Sequence, residues 1–183
     1  MGGTLTILTG PSGIGKTTLC RKVADAARSS GHDLAGLVCP AGFMQSRKVG
    51  ISAHDLRTRE TRELAWLHDP ARPGSVTHGQ WTFDESVLAW GNELLQRATP
   101  CELLIVDELG TLELLEQRGW TAGISALSSR DYDHALLVVR TDLVTHALSL
   151  WPEASVVYAG DSVARGHLLE TYNRARRPDR ESR

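Results

Sequence analysis

The feature that most limits the fold of this chain is a glycine-rich segment near its start. A short run of apolar and β-branched residues precedes the segment, and a stretch with apolar residues at helical spacing follows it. We therefore expect a strand at residues 4–9, a loop, and a helix at residues 16–29. The loop and the first helical residues are Gly10, Pro11, Ser12, Gly13, Ile14, Gly15, Lys16, Thr17 and Thr18.

This segment matches the full GxxxxGK[ST] pattern of a P-loop, which binds the phosphates of a nucleoside triphosphate. Glycines allow backbone angles at which successive N–H groups converge on one anion, and the following helix directs its positive end to the same point. We expect Lys16 to add a positive charge near the β- and γ-phosphates and the Thr17 hydroxyl to coordinate Mg²⁺. Residues 10–18 are therefore predicted to bind ATP or GTP together with Mg²⁺.

Further along the chain, a buried strand is predicted to end in two acidic residues. The apolar run at 103–106 is followed by Asp107 and Glu108. Ligands gather at the carboxyl ends of parallel strands, so we expect Asp107 to lie beside the P-loop and to hold Mg²⁺. Glu108 can accept a proton from water or orient it for attack on the γ-phosphate, and it is predicted to be catalytic with Lys16. A solvated or capping glutamate is the alternative.

An arginine often neutralises the charge that develops on the transferred phosphate. Arg140 has the best position because it follows the predicted strand at 135–139, and we predict a catalytic role for it. Arg47, Arg57 and Arg59, in the irregular segment after the second strand, are weaker candidates.

Continuous apolar runs alternate with helical patterns along the rest of the chain. Strands covered on both faces give such runs, so the pattern predicts a three-layer α/β fold with a mainly parallel sheet and helices on both faces. Residues 40–66 are expected to form a small β-hairpin attached to this sheet, and residues 69–80 a loop. Further strands are expected at 34–39, 103–106, 135–139 and 155–158. Further helices are expected at 84–97, 142–150 and 161–172, the first with a capping box of Thr82 and Glu85.

Length and composition limit the setting of the protein. The 183 residues suit one domain, predicted at 1–172, followed by a basic and disordered tail at 173–183. The net charge of −2 gives no reason to expect nucleic acid or a membrane as partner. The first residues lack the pattern of a secretory leader. Cys20, Cys39 and Cys101 are scattered, which favours reduced thiols and a cytoplasmic location.

Three segments together resemble the small P-loop nucleoside-triphosphatase family of archaea, bacteria and animals. They are the P-loop, the pair Gly42-Phe43 with its return Arg47-Lys48-Val49-Gly50-Ile51, and the run Ile105-Val106-Asp107-Glu108-Leu109-Gly110-Thr111-Leu112-Glu113-Leu114. The resemblance implies slow hydrolysis of ATP, GTP and other nucleoside triphosphates with Mg²⁺. It also implies a RecA-like core sheet, with Lys16, Thr17, Asp107 and Glu108 in the roles given above.

Two other functions stay open at the level of the sequence. A nucleotide or small-molecule kinase would need an arginine-rich lid, and the segment 57–74 holds four arginines. A nucleotide-dependent module that binds a protein partner would need a contact surface, which tryptophans could supply, although packing is their commoner use. The five tryptophans are Trp66, Trp81, Trp90, Trp120 and Trp151. No motif reads the base, so ATP and GTP are not distinguished.

Overall fold

The computed structural model describes residues 2–68 and 72–173. Within them, ten strands form one sheet. The strands are β1 (Thr4–Thr9), β2 (Leu34–Val38), β3 (Ala41–Met44), β4 (Arg47–Asp55), β5 (Thr61–Leu67), β6 (Ser75–His78), β7 (Trp81–Asp84), β8 (Cys101–Val106), β9 (Tyr132–Val138) and β10 (Ser155–Tyr158). The helices are α1 (Lys16–Ser29), α2 (Glu85–Gln96), α3 (Thr111–Leu114), α4 (Thr121–Ser129), α5 (Val144–Leu150) and α6 (Ser162–Asn173), with a 3-10 turn at Thr141–Leu143 before α5.

The sheet has a parallel half and an antiparallel half. Its order is β10-β1-β9-β8-β2-β4-β5-β7-β6, with β3 paired to β4. All neighbours from β10 to β2 run parallel, whereas β4 is antiparallel to β2 and starts an antiparallel extension. The carboxyl ends of the five parallel strands therefore meet at one edge, where ligands bind in folds of this kind.

The hydrophobic core lies on both faces of the parallel half. Alternate residues of β8 point to opposite faces: Leu103 and Ile105 pack in the cluster that includes residues of α1 and α6, whereas Leu104 and Val106 pack in the cluster that includes residues of α2 and α4. Each such buried side chain contributes about 1.5–3 kcal/mol. This arrangement confirms the predicted three-layer α/β fold with helices on both faces.

The antiparallel half is larger than the small hairpin that the sequence predicts. The hairpin is present as β3 and β4, but β4 also pairs with β2, and β5, β7 and β6 follow in order. The expected loop at 69–80 is wrong for residues 75–78, which form β6 and pair with β7. None of the four residues of β6 is fully buried, and they form no apolar run that would indicate a strand. Residues 69–71 of that loop lie outside the described residues.

Two helical predictions also need correction. The expected capping box of Thr82 and Glu85 is wrong, because the Asp84 carboxylate caps α2 by accepting hydrogen bonds from the backbone N–H groups of Ser86 and Val87 at 2.9 and 3.3 Å. The helix α4 is absent from the sequence prediction, since its glycine and serines are weak helix formers. Packing stabilises it instead: the backbone at Gly123 lies against side chains of Leu109 and other core residues.

The tryptophans serve packing, as expected. Trp90, Trp120 and Trp151 are buried, and Trp66 and Trp81 are half-buried. In the described part of the chain, no helix combines the length and apolarity needed to cross a membrane. The domain boundary at 172 and the cytoplasmic location stay predictions, and residues 174–183 of the expected tail lie outside the described residues.

Candidate nucleotide-binding site

The glycine-rich loop joins β1 to α1 at the carboxyl edge of the parallel half. Gly10, Gly13 and Gly15 have φ angles of 141°, 81° and 97°, which side chains disfavour and glycine accepts. Gly15 is the N-cap of α1, and among the described residues no side chain caps this helix end. The unpaired N–H groups of the first turn are therefore available to an anion, as the P-loop prediction requires.

Lys16 is held on the loop itself. Its Nζ donates hydrogen bonds to the carbonyl oxygens of Gly10 at 2.7 Å and Pro11 at 3.1 Å. The ammonium is thus positioned at the loop that would cradle the phosphates. Pro11, Ser12, Gly13 and Thr18 are exposed, whereas Ile14, Gly15, Lys16 and Thr17 are partly buried.

Asp107 joins the acidic strand end to the P-loop. It follows β8 directly, and only 2 % of it is exposed. Its Oδ1 accepts a hydrogen bond of 3.2 Å from the Thr17 hydroxyl, and its Oδ2 accepts one of 3.0 Å from the backbone N–H of Cys39. Burial raises the pKa of the Asp107 carboxyl to about 6, although both hydrogen bonds oppose the rise. A hydroxyl and a carboxylate in contact are ligands of the kind that Mg²⁺ prefers.

Glu108 lies next to this pair and is exposed to solvent. Desolvation by the surrounding protein still raises the pKa of its carboxyl above the ordinary value of a glutamate. The charges of Lys16, Arg140 and Lys48 oppose this rise, in that order of strength. The Glu108 carboxyl is therefore subject to the charges of cations from three different segments.

The arginine candidates separate into two groups. Arg140 follows β9 on the carboxyl edge, and its Nε lies 3.3 Å from Asp142 Oδ1. Arg57 lies at the opposite edge of the sheet, where it donates to the carboxylate of Asp33 just before β2 and to the carbonyl of Ala98. Arg59 is in the same turn as Arg57, since its N–H donates to the Asp55 carbonyl. The structure therefore brings neither Arg57 nor Arg59 to the cradle.

The β3–β4 hairpin reaches the carboxyl edge and carries residues that sequence reasoning missed or undervalued. Because β4 runs antiparallel to β2, its first residues, Arg47 and Lys48, extend past the end of β2. Lys48 was not predicted as a site residue, although it belongs to the Lys-Val-Gly return of the hairpin. The Cys39 N–H, a second missed contact, has no side-chain signal in the sequence.

Glu113 has a structural position near the site. It is 7 % exposed, and its two carboxylate oxygens accept hydrogen bonds from the backbone N–H groups of Gly110 at 2.9 Å and Trp120 at 3.1 Å. The carboxylate thus holds the loop after Glu108 against the start of α4.

The sheet order, the glycine-rich cradle and the acidic strand end define a P-loop nucleotide-binding protein. Comparison with known families agrees: the model of the NTPase family matches residues 5–147, and the chain belongs to this family. The resemblance drawn from the sequence is therefore confirmed.

Two relatives of this chain are both named nucleoside-triphosphatase THEP1. The chain is 27 % identical to nucleoside-triphosphatase THEP1 of Sulfurisphaera tokodaii over 109 residues, which cover 58 % of this chain and 61 % of that protein. It is 30 % identical to nucleoside-triphosphatase THEP1 of Methanocaldococcus jannaschii over 113 residues, which cover 61 % of this chain and 64 % of that protein. The matched segment thus spans less than two thirds of either relative.

Two solved structures resemble the fold. The solution structure of a human cancer-related nucleoside triphosphatase matches with a TM-score of 0.69 and 24 % identity, covering 92 % of this chain and 95 % of that one. The crystal structure of THEP1 from Aquifex aeolicus matches with a TM-score of 0.56 and 17 % identity, covering 92 % and 96 % of the two chains. At these identities the likeness supports the fold alone.

Proposed function

We propose that this protein is a Mg²⁺-dependent nucleoside-triphosphatase, which hydrolyses ATP, GTP and other nucleoside triphosphates to the diphosphate and phosphate. The observation that carries the proposal is the hydrogen bond of 3.2 Å between the Thr17 hydroxyl and the Asp107 carboxylate, which joins the P-loop to the acidic strand end. The names of the THEP1 relatives support it.

Thr17 and Asp107 would hold the Mg²⁺, because their oxygens lie together beside the cradle. When bound, the ion neutralises negative charge on the phosphate oxygens. The N–H groups of the loop and of the first turn of α1 would bind the phosphates, and Lys16 would exchange its carbonyl partners on the loop for phosphate oxygens. Residues 10–18 would thus bind the triphosphate as one unit.

Glu108 would act on the attacking water. The water oxygen bonds to the γ-phosphorus while Glu108 accepts the proton, and the bond from this phosphorus to the β–γ bridging oxygen breaks. The nucleoside diphosphate then leaves, and phosphate is the second product. Desolvation favours this role, because it raises the pKa of the Glu108 carboxyl and makes the carboxylate a stronger base.

Arg140 would neutralise charge in the transition state. Support comes from its place after β9 and from the effect of its charge on the Glu108 carboxyl. Lys48 has the same electrostatic link and is the competing candidate. Replacing each by alanine separates them: we expect Arg140→Ala to lower kcat at least about tenfold with little change in nucleotide affinity, and Lys48→Ala to lower it less.

The test is phosphate release from ATP, GTP, CTP and UTP with Mg²⁺. We expect Lys16→Ala to lose both binding and turnover, and Glu108→Gln to bind nucleotide but turn over about a hundredfold more slowly. Lys22→Ala and Glu170→Gln, at exposed positions of α1 and α6, are the matched controls and should behave like the parent.

The same assay distinguishes hydrolysis from phosphoryl transfer to another acceptor. Tight nucleotide binding without phosphate release, followed by release of the diphosphate only when an acceptor nucleotide is added, would contradict the proposal and indicate a kinase. The structure offers little for a kinase lid: Arg62 and Arg72 lie over the rings of Trp90 and Trp66, and Arg57 lies at the far edge of the sheet.

A further inference from the structure

An exposed tyrosine borders the phosphate cradle. Tyr158 ends β10, where it pairs with Thr9 at the end of β1, and 50 % of it is exposed. Its ring occupies space left by the missing side chains of Gly10 and Gly160: a Cβ at Gly10 would lie 3.3 Å from Cε2 of the ring, and a Cβ at Gly160 would collide with the opposite edge. The ring is thus seated against the first residue of the P-loop, with much of its surface open.

The Tyr158 ring and the acidic strand end lie on opposite sides of the P-loop, and this arrangement determines the direction in which a bound triphosphate would extend. In the sheet order β10-β1-β9-β8, Asp107 and Glu108 follow β8, and Tyr158 lies on the other side of β1. Neighbouring strands are about 4.8 Å apart, so the two ends of this row are about 14 Å apart. A triphosphate whose γ-phosphate lies at the acidic end must extend away from β8, and its nucleoside then falls on the β10 side.

We propose that Tyr158 binds the nucleobase by stacking its ring on the face of the base. The inference rests on the proposed function, which fixes the end of the cradle that takes the γ-phosphate. Stacking does not depend strongly on the identity of the base, because every base has a π-face. Such a site therefore accepts ATP, GTP, CTP and UTP alike.

The surroundings of Tyr158 agree with stacking rather than reading of base edges. Asp161, the next acidic residue, uses its Oδ1 to accept hydrogen bonds from the N–H groups of Val163 at 2.9 Å and Ala164 at 3.2 Å at the start of α6. Arg165 donates to the Ala159 carbonyl at 3.4 Å. These side chains bond to the backbone of the turn after β10, and half of Tyr158 stays exposed beside them.

The test measures binding in the hydrolysis-deficient Glu108→Gln background by calorimetry with Mg²⁺. The ligands are ATP, GTP, CTP, UTP and inorganic tripolyphosphate, which has no base. We expect Tyr158→Ala to weaken the binding of all four nucleotides about tenfold and to leave tripolyphosphate binding unchanged, and Tyr158→Phe to bind all five ligands normally. Val156→Ala, at another exposed position of β10, is the control and should bind like the background protein.

Three results obtained with Tyr158→Ala would overturn the stacking role. They are equal weakening of tripolyphosphate binding by Tyr158→Ala, unchanged nucleotide binding by Tyr158→Ala, and a loss confined to one base. An equal loss in Val156→Ala would likewise assign the effect to packing of the edge strand. Nucleotide binding without any phosphate release by the parent would overturn the proposed hydrolysis alone, whereas failure of the parent to bind any nucleotide would overturn both proposals.

Discussion

The two halves of the sheet are stabilised in different ways. All five residues of β2 in the parallel half are buried, whereas β3 and β6 in the antiparallel half contain no fully buried residue. The antiparallel half buries a few residues in the core, Ala53, Leu64 and Ala65. It also has cations over tryptophan rings, at Lys48–Trp81, Arg62–Trp90 and Arg72–Trp66. The buried strands of the parallel half, β1, β2, β8 and β9, thus position the phosphate cradle, while the extension adds one hairpin at its edge.

The largest effect is expected where the two halves join. Gly36 in β2 has a φ of 109°, and a Cβ there would collide with the carbonyl oxygen of Ile105 in β8. Its own carbonyl accepts a hydrogen bond of 3.0 Å from Leu56, which follows β4. Because backbone strain and overpacking each cost about 1–3 kcal/mol, Gly36→Ala should lower the free energy of unfolding by about 4 kcal/mol in urea denaturation.

The control for this substitution is Gly166→Ala inside α6, where an added Cβ meets nothing within 4 Å. It should be neutral or stabilise by about 0.5–1 kcal/mol, because alanine favours the helix. If Gly36→Ala lowered the free energy of unfolding by less than about 1 kcal/mol, β2 and β8 could move apart at little cost. This result would contradict the close packing of the parallel half.

The next effect is an expected conflict between stability and function in the parallel half. The pKa of the Asp107 carboxyl is about 6 in the folded chain, against an ordinary value of 3.8, so the folded state binds this proton more tightly than the unfolded state. Binding of this proton stabilises the folded state fully below pH 3.8, and this contribution to the free energy of unfolding is lost as the pH rises through 6. The full loss is roughly 3 kcal/mol.

Asp107→Asn removes this titration. Without nucleotide or Mg²⁺, we expect the variant to gain stability over the parent as the pH rises from about 4 to 8, and to lose Mg²⁺-dependent nucleotide binding. Urea denaturation of both proteins across this range measures the first effect. A stability difference that stays constant with pH would show that burial does not control the protonation of Asp107.

The sequence predicts the parallel half far better than the extension, for a physical reason. Strands are expected at 4–9, 34–39, 103–106, 135–139 and 155–158 because the sequence has a continuous apolar run at each place, and the structure has a strand at each of them. In the extension, polar residues lie on half-exposed strands, so residues 75–78 have the composition of a loop. Their strand forms because β7 supplies the pairing partner, which the local sequence does not encode.

The site shows the same division. The positions of Lys16, Thr17 and Asp107 follow from a motif whose residues must converge, and the structure brings them together. The Cys39 N–H and Lys48 depend on where β2 ends and how β4 returns, so only the tertiary structure shows them. The arginine candidates separate for the same reason, since strand direction alone places Arg57 at the opposite edge.

The smallest effect is expected in the antiparallel half. The Arg72 guanidinium lies 3.4 Å from the centroid of the Trp66 ring, an attraction of about 0.5–1 kcal/mol at a partly exposed site. Arg72→Gln should lower the free energy of unfolding by this amount and leave nucleotide hydrolysis unchanged. Arg118→Gln, whose ion pair with Glu116 is exposed and spans 3.9 Å, should change stability by less and is the control.

Of the two measurements on Arg72→Gln, nucleotide hydrolysis tests more than the free energy of unfolding does. It tests whether the antiparallel half takes part in the reaction, whereas stability reports the strength of one contact. Turnover equal to that of the parent would agree with an extension that stabilises the sheet and contributes to the site through its hairpin alone. A large loss of turnover, with folding intact, would mean that Arg72 acts at the cradle, as a lid arginine of a kinase would. The reaction would then not be confined to the parallel half and the β3–β4 hairpin.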